Sequence, residues 1–230
     1  MCGLYHVIVA DHYPAPDGAR PALHERGATN GFTIDNTQID RLLATRILHI
    51  GGVGQMNRMD DAGRTEEVMA EAKRRGIITT LDVYASTAAD LPKVARLLPY
   101  TDYVLPSEEA ARALSGLHDY ADLAGFLLNQ GVGCLILTLG AKGAYYSHSA
   151  GTTFHTPAFQ VEVKCTCGSG DCFQRRLCNR PAQRAFGTGS GAVGASLFGA
   201  ECNWSGLAGR CARLCHDVGL HRQDARRGAS

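Results

Sequence analysis

The chain has 230 residues, with 23 Lys+Arg against 22 Asp+Glu, a formal net charge of +1, and 45% hydrophobic residues. Such a composition suits a soluble domain with a sizeable core, and the near-zero charge offers no footprint for nucleic acid or an anionic membrane. Apolar runs such as residues 134–137 are far too short to span a bilayer, and nine cysteines without a secretory signal read as reduced thiols of a cytoplasmic protein.

Residues 4–10 are rich in β-branched and aromatic side chains and predict a strand. A Pro-Ala-Pro-Asp-Gly turn at 14–18 leads into a second strand at 20–25. A repeated strand–helix alternation follows. Residues 46–50 read as a buried strand ending in Gly51 and Gly52. Residues 65–75 predict a helix, with Thr65 as N-cap, Glu66 and Glu67 at the positive dipole end, and Lys73, Arg74 and Arg75 at the negative end. Gly76 supplies the left-handed stop, and Val68, Met69 and Ala72 the inward stripe.

Residues 77–83 predict the next strand, and 91–98 a short helix stopped by Pro99. Residues 103–106 form a strand end, with Ser107 placed to cap a helix over 108–114. Leu123, Phe126, Leu127 and Gln130 give the helix at 119–130 one face. Residues 134–139 form a central strand followed by a Gly-Ala-Lys-Gly loop at 140–143, and two short strands cover 144–148 and 153–159. This alternation predicts an α/β fold with a mainly parallel sheet between helices. Ligands of such sheets sit beyond the carboxyl ends of the strands, which places Gly51, Gly52, Asp82, Ser107, Gly140 and residues 168–171 on the candidate edge.

The tail differs in composition. Residues 174–230 hold nine Arg and four Cys but no Ile, Lys, Tyr or Met, whereas residues 1–173 hold eight Ile, four Lys and ten Arg. Its Gly/Ala/Ser stretch at 187–196 has no pattern able to form a core face.

Several motifs carry chemistry, each with a plainer counterpart. Gly168-Ser169-Gly170-Asp171 opens a helix, where small residues let amides approach an anion and an adjoining acid can take a proton from a hydroxyl. Alone, those four letters are more often a Gly-rich turn. Thr138 to Gly143 is a strand and tight loop suited to a nucleotide, or an ordinary turn. Gly52 and Gly54 suggest a dinucleotide fingerprint, but Asn57 stands where its third glycine belongs, which disfavours a nicotinamide dehydrogenase. Cys165, Cys167 and Cys172 lack the spacing of a metal site and read as structural thiols, so no protein-held metal is expected. His24 and His49 read as strand histidines without a visible partner, and Lys73 to Arg75 as a solvated helix end.

In order and spacing these segments resemble the PfkB/ribokinase family of carbohydrate kinases. Residues 163–173, Val-Lys-Cys-Thr-Cys-Gly-Ser-Gly-Asp-Cys-Phe, resemble the signature D-T-T-G-A-G-D-x-F. Residues 137–144 resemble the nucleotide-binding strand and loop, 102–116 the segment carrying N-x-x-E, and 24–30 the return from the lid sheet into the core. The resemblance implies a three-layer ribokinase-like sandwich with a remnant of a small β lid. It divides the chain into lid strands at 1–32, a kinase core at 33–173 and the tail at 174–230.

It also implies transfer of the ATP γ-phosphoryl group to a sugar-like hydroxyl, with Mg²⁺ bridging phosphate oxygens. Asp171 would be the base, the amides of Gly168, Ser169 and Gly170 the anion hole, and Ser107, Thr138, Gly140 and Gly143 the nucleotide contacts. Gly27 and Asn30 would face the substrate, and lid strands of such kinases often pair between subunits, implying a homodimer.

The departures are specific. Cys165 and Cys167 replace Asp and Thr of the signature, and Ser107 and Ala110 replace Asn and Glu of N-x-x-E. The family's first strands have no counterpart ahead of Leu4. One base downstream, the codons for residues 174–181 permit Asn-Ala-Gly-Phe-Val-Thr-Gly-Leu, and those for 201–204 permit Asn-Ala-Thr-Gly in the same frame. Both peptides are family-like, so the tail is expected to be out of frame, which sequencing the coding DNA would test. A nucleoside kinase of the same family and a non-catalytic nucleotide- or sugar-binding remnant are the alternative readings.

Overall fold

The computed structural model describes residues 27–84, 87–158 and 169–179. The strand–turn–strand expected at 4–25, His24, the residues at 161–168 including Cys165, Cys167 and Gly168, and the tail beyond 179 lie outside them. The described residues form one six-stranded sheet: β1 (Ile47–Val53), β2 (Ile78–Val83), β3 (Tyr103–Val104), β4 (Cys134–Thr138), β5 (Ala144–His148) and β6 (Thr153–Thr156), side by side in chain order. β1 to β4 are parallel, and β4 to β6 antiparallel. The sheet is thus mainly parallel, as the strand–helix alternation predicts. α1 (Gly27–Asn30) and α2 (Asn36–Leu42) precede β1, and α3 (Asn57–Asp61) and α4 (Arg64–Arg74) separate β1 from β2. α5 (Leu91–Ala95) leads towards β3, α6 (Glu108–Ser115) and α7 (Tyr120–Leu128) towards β4, and α8 (Ser169–Asn179) follows β6.

Strand alternation sorts the side chains into two cores. On one face Leu48, Leu81, Val104, Leu135 and Leu137 meet Val68, Met69 and Ala72 of α4, Ala111 and Leu114 of α6, and Leu123 and Leu127 of α7. On the other, Leu105, Cys134, Ile136 and Tyr146 meet Phe173, with Leu177 packed alongside. Among the described residues only α8 covers that second face. Leu135 is fully buried between β4 and the helical layer. Leu135→Ala is therefore expected to cost about 2–5 kcal/mol, read as a lower urea midpoint. An unshifted midpoint would remove β4 from the core.

Local differences have physical causes. Thr65 does not cap α4. Gly63 takes that place with φ 72°, and the Thr65 hydroxyl is buried, donating to Asp60 Oδ1 at 2.7 Å. The C-terminus behaves as expected, with Gly76 at φ 69° and the Ile77 amide returning to the Ala72 carbonyl at 3.0 Å. Pro99 does not stop a helix. α5 ends at Ala95, and Pro99 lies within a separate 3₁₀ turn, Leu98–Tyr100, where a missing N–H costs nothing. β1 continues through Gly51 and Gly52 to Val53, its register with β2 slipping between Ile50 and Val53. α8 continues past residue 173, because Phe173, Gln174 and Leu177 still bury one face.

Candidate active site

The carboxyl edge of the parallel strands is built from short polar segments. β3 runs directly into α6, and Ser107 caps it as expected, its hydroxyl accepting from the Ala110 amide at 3.1 Å. Ser107 forms an isolated parallel bridge with Thr138, whose amide donates to the Pro106 carbonyl at 3.1 Å. Beyond Thr138 the chain makes a 3₁₀ turn, Gly140–Lys142, closed by Leu139 N–H to the Gly143 carbonyl at 2.8 Å. Ser107, Thr138 and Gly140 therefore adjoin one another, as the sequence pattern expects. The two loop glycines differ in cause. A side chain at Gly140 would project into open space, whereas one at Gly143 would strike the Thr156 carbonyl oxygen.

Asp171 lies in the first turn of α8 beside Ser169 and Gly170, exposed at the positive end of the helix. Phe173, two residues on, packs with Leu105 and Ile136, which lie two residues before Ser107 and Thr138 respectively. Packing thus seats the start of α8 over the carboxyl ends of β3 and β4. Gly27 and Asn30 are the exposed ends of α1.

Asp82, which its place at a strand end put on the candidate edge, brings His49 and Gln174 into a polar group with Asp171. Asp82, near the end of β2, is hydrogen-bonded by the buried Gln174 side chain and interacts electrostatically with Asp171 and His49. Burial raises the Asp82 carboxyl above its usual range, and the Gln174 bond and His49 oppose that shift. His49 Nδ1 lies 2.8 Å from Thr80 Oγ1. The surrounding protein lowers the pKa of this otherwise exposed imidazole, while Asp82 and Asp171 pull it upward. His49, a strand histidine with no partner visible in the sequence, finds one in Thr80 across β1 and β2. The available signal was the i, i+3 spacing of Asp171 and Gln174, which puts both on one helix face.

A carboxyl with a raised folded pKa binds its proton more tightly in the folded than in the unfolded chain. Its contribution to stability is complete below the usual value of 3.8 and is lost as pH rises through the folded value. Asp82→Asn is expected to remove that decline in the weakly acidic range. Urea midpoints of both proteins measured upward from pH 3.8 provide the check, and parallel curves would contradict it.

The other motifs resolve differently. Gly54 has φ 85°, but its amide already donates to Asp60 Oδ2 at 2.9 Å, so it is not free for a pyrophosphate. Cys134 is fully buried, and burial pushes its thiol up to about 12, as befits a structural cysteine. Ala110, where the family has a carboxylate, is buried with 4% exposure. Among the described residues no group of three His, Cys, Asp or Glu side chains could hold a metal ion. The described residues therefore offer no carboxylate cluster to cage Mg²⁺. No helix among the described residues is long and apolar enough to cross a membrane.

The pfkB family carbohydrate kinase model matches residues 15–174. Ribokinase of Staphylococcus aureus (strain COL) is 31% identical over 107 residues, covering 44% of this chain and 34% of the relative. The 2-dehydro-3-deoxygluconokinase of Thermoproteus tenax is 25% identical over 174 residues, covering 74% and 52% respectively. The chain thus spans about a third to a half of the length of these curated relatives. The fold is similar to that of fructokinase from Vibrio cholerae O395, solved with fructose, ADP and calcium ion bound. The TM-score is 0.53 at 22% identity, covering 62% of this chain and 49% of that one. With its mainly parallel sheet, capped α6, glycine turn after β4 and Asp171 opening α8, this chain belongs to the pfkB family of carbohydrate kinases.

Proposed function

We propose that the site transfers the γ-phosphoryl group of ATP to a hydroxyl of a sugar-like small molecule. The observation that carries this reading is Asp171 in the exposed first turn of α8, over the carboxyl ends of β3 and β4 and inside the family-matched span. Asp171 accepts the proton of the attacking hydroxyl, and the amides at Gly168, Ser169 and Gly170 stabilise charge on the transferred group. The adjoining Ser107, Thr138 and Gly140 receive the nucleotide, and Gly143 shapes their loop. A divalent cation brought in with the nucleotide would supply charge neutralisation, and no role of this chain's residues depends on it. Gly27 and Asn30 contribute to the substrate side.

A second reading, a nucleotide- or sugar-binding protein without turnover, is favoured by Ser107 and the buried Ala110 in place of the N-x-x-E side chains. Calorimetric titration with ATP, then a coupled assay of ADP release over ketoses, aldoses, inositol and nucleosides, separates the two. Binding with sugar-dependent ADP release supports the kinase. Binding without release supports the second reading, and absence of ATP binding overturns the kinase and leaves the second reading to a titration with the same sugars.

A further inference from the structure

Glu108, the first residue of α6, is almost wholly buried, whereas its neighbour Glu109 is exposed. A buried carboxylate is costly unless its oxygens are satisfied, and three partners converge on this one. Arg112 Nη2 lies 2.7 Å from Oε1, one turn along the helix. The Tyr120 hydroxyl, from the start of α7, donates to Oε1 at 3.1 Å. Lys142 Nζ reaches both oxygens, at 3.3 and 3.2 Å. Burial alone would raise the Glu108 carboxyl, but Lys142, Tyr120 and Arg112 more than offset it and hold it below the ordinary range.

Arg112 and Tyr120 belong to the helical layer, but Lys142 ends the glycine turn between β4 and β5. The turn closes on its own backbone, with Lys142 N–H donating to Leu139 at 3.1 Å and Gly143 N–H to Gly140 at 3.1 Å. Those bonds fix its shape but not its angle to α6. Among the described residues, Lys142 ties this turn to the helix start beside Ser107 through Glu108, its strongest partner, and also meets Tyr120. The lysine side chain is otherwise 63% exposed, against 12% for Glu108. The fixed end of the tie is therefore the acid, and the movable end is the turn.

We propose that Glu108 is a positioning residue for nucleotide binding: by holding Lys142, it sets the Gly140–Lys142 turn against the start of α6 before nucleotide arrives. This rests on the reading above, that the turn receives the nucleotide. A loop already held in its bound form loses less freedom on binding, so releasing it weakens affinity without removing any contact to the ligand.

The test is ATP and ADP affinity, measured by calorimetry for the full chain and for Glu108→Gln, Lys142→Met, the double variant and Lys142→Arg. Lys142→Met leaves Arg112 and Tyr120 on Glu108 Oε1 but takes the lysine from Oε2, so its urea midpoint is measured alongside to separate loss of the tie from loss of the fold. Each single variant is expected to bind about five- to tenfold more weakly, on the scale of one net intramolecular hydrogen bond. The double variant should be no weaker than either single one, and Lys142→Arg should restore affinity. Hydrogen exchange of the amides at 139–143 should quicken in Glu108→Gln and Lys142→Met without nucleotide. If Lys142→Met weakens binding but Glu108→Gln does not, the lysine acts on the nucleotide directly and the positioning role is wrong. Unchanged affinity and exchange in both single variants would likewise overturn it while leaving the proposed function intact. If the unsubstituted chain binds no nucleotide, the proposed function falls, and this role falls with it.

Discussion

Asp171→Asn is expected to lower sugar-dependent ADP release by about 10²–10⁴-fold while leaving ATP affinity unchanged. Asparagine matches the carboxylate in shape but cannot take the proton of an attacking hydroxyl. The stability effect is small by comparison. Asp171 is exposed in the first turn of α8, and losing its charge from the helix N-terminus costs about 0.3–1 kcal/mol. A domain of this size is stable by about 5–15 kcal/mol, so the variant stays folded and the loss is chemical. A coupled assay with saturating ATP, together with calorimetry on both proteins, makes the check. Turnover retained within a few-fold of the unsubstituted chain would remove Asp171 from the role of base.

Gly143→Ala is expected to destabilise the fold by about 3 kcal/mol or more, whereas Gly140→Ala, in the same turn, costs about 1 kcal/mol. Both glycines have positive φ, 101° at Gly143 and 57° at Gly140, so both substitutions carry backbone strain. The difference is what the new methyl group meets. At Gly143 it would lie 1.9 Å from the Thr156 carbonyl oxygen, 2.7 Å from the Pro157 carbonyl carbon and 2.8 Å from the Ala158 nitrogen. These are all backbone atoms next to an ordered strand, and none can swing aside as a side-chain tip could. At Gly140 nothing lies within 4 Å. Urea unfolding of the two variants reads the gap directly. Equal midpoints would mean that β6 does not press on the turn as described.

The layered architecture was legible because each helix carries its own local instructions. The stripe of Val68, Met69 and Ala72, the cap at Ser107 and the glycine at 76 all act within one or two turns, and each has the predicted role in the structure. Thr65 and Pro99 show where local instructions compete. The left-handed Gly63 entry and the buried Asp60 carboxylate take Thr65 away from capping, and a 3₁₀ turn absorbs Pro99. Asp171 was legible through the order of the family's motifs, a resemblance carried by several short segments together. Asp82 was legible as a strand-end residue on the same edge, but its grouping with His49 and Gln174 was not, because three separate elements bring them together. Glu108 and Lys142, 34 residues apart, were hidden for the same reason. As a first-turn acid and a loop lysine, each has an ordinary local explanation.

The second core sets a further condition on the chemistry. Phe173 and Leu177 seal the face bearing Cys134 with the same short helix that presents Asp171. Seating Asp171 and covering that sulfur are consequently tasks of one helix. Displacing the helix would take Asp171, the proposed base, from the strand ends and uncover the face that bears the buried Cys134, so the reactivity of that thiol would report on the seating of α8.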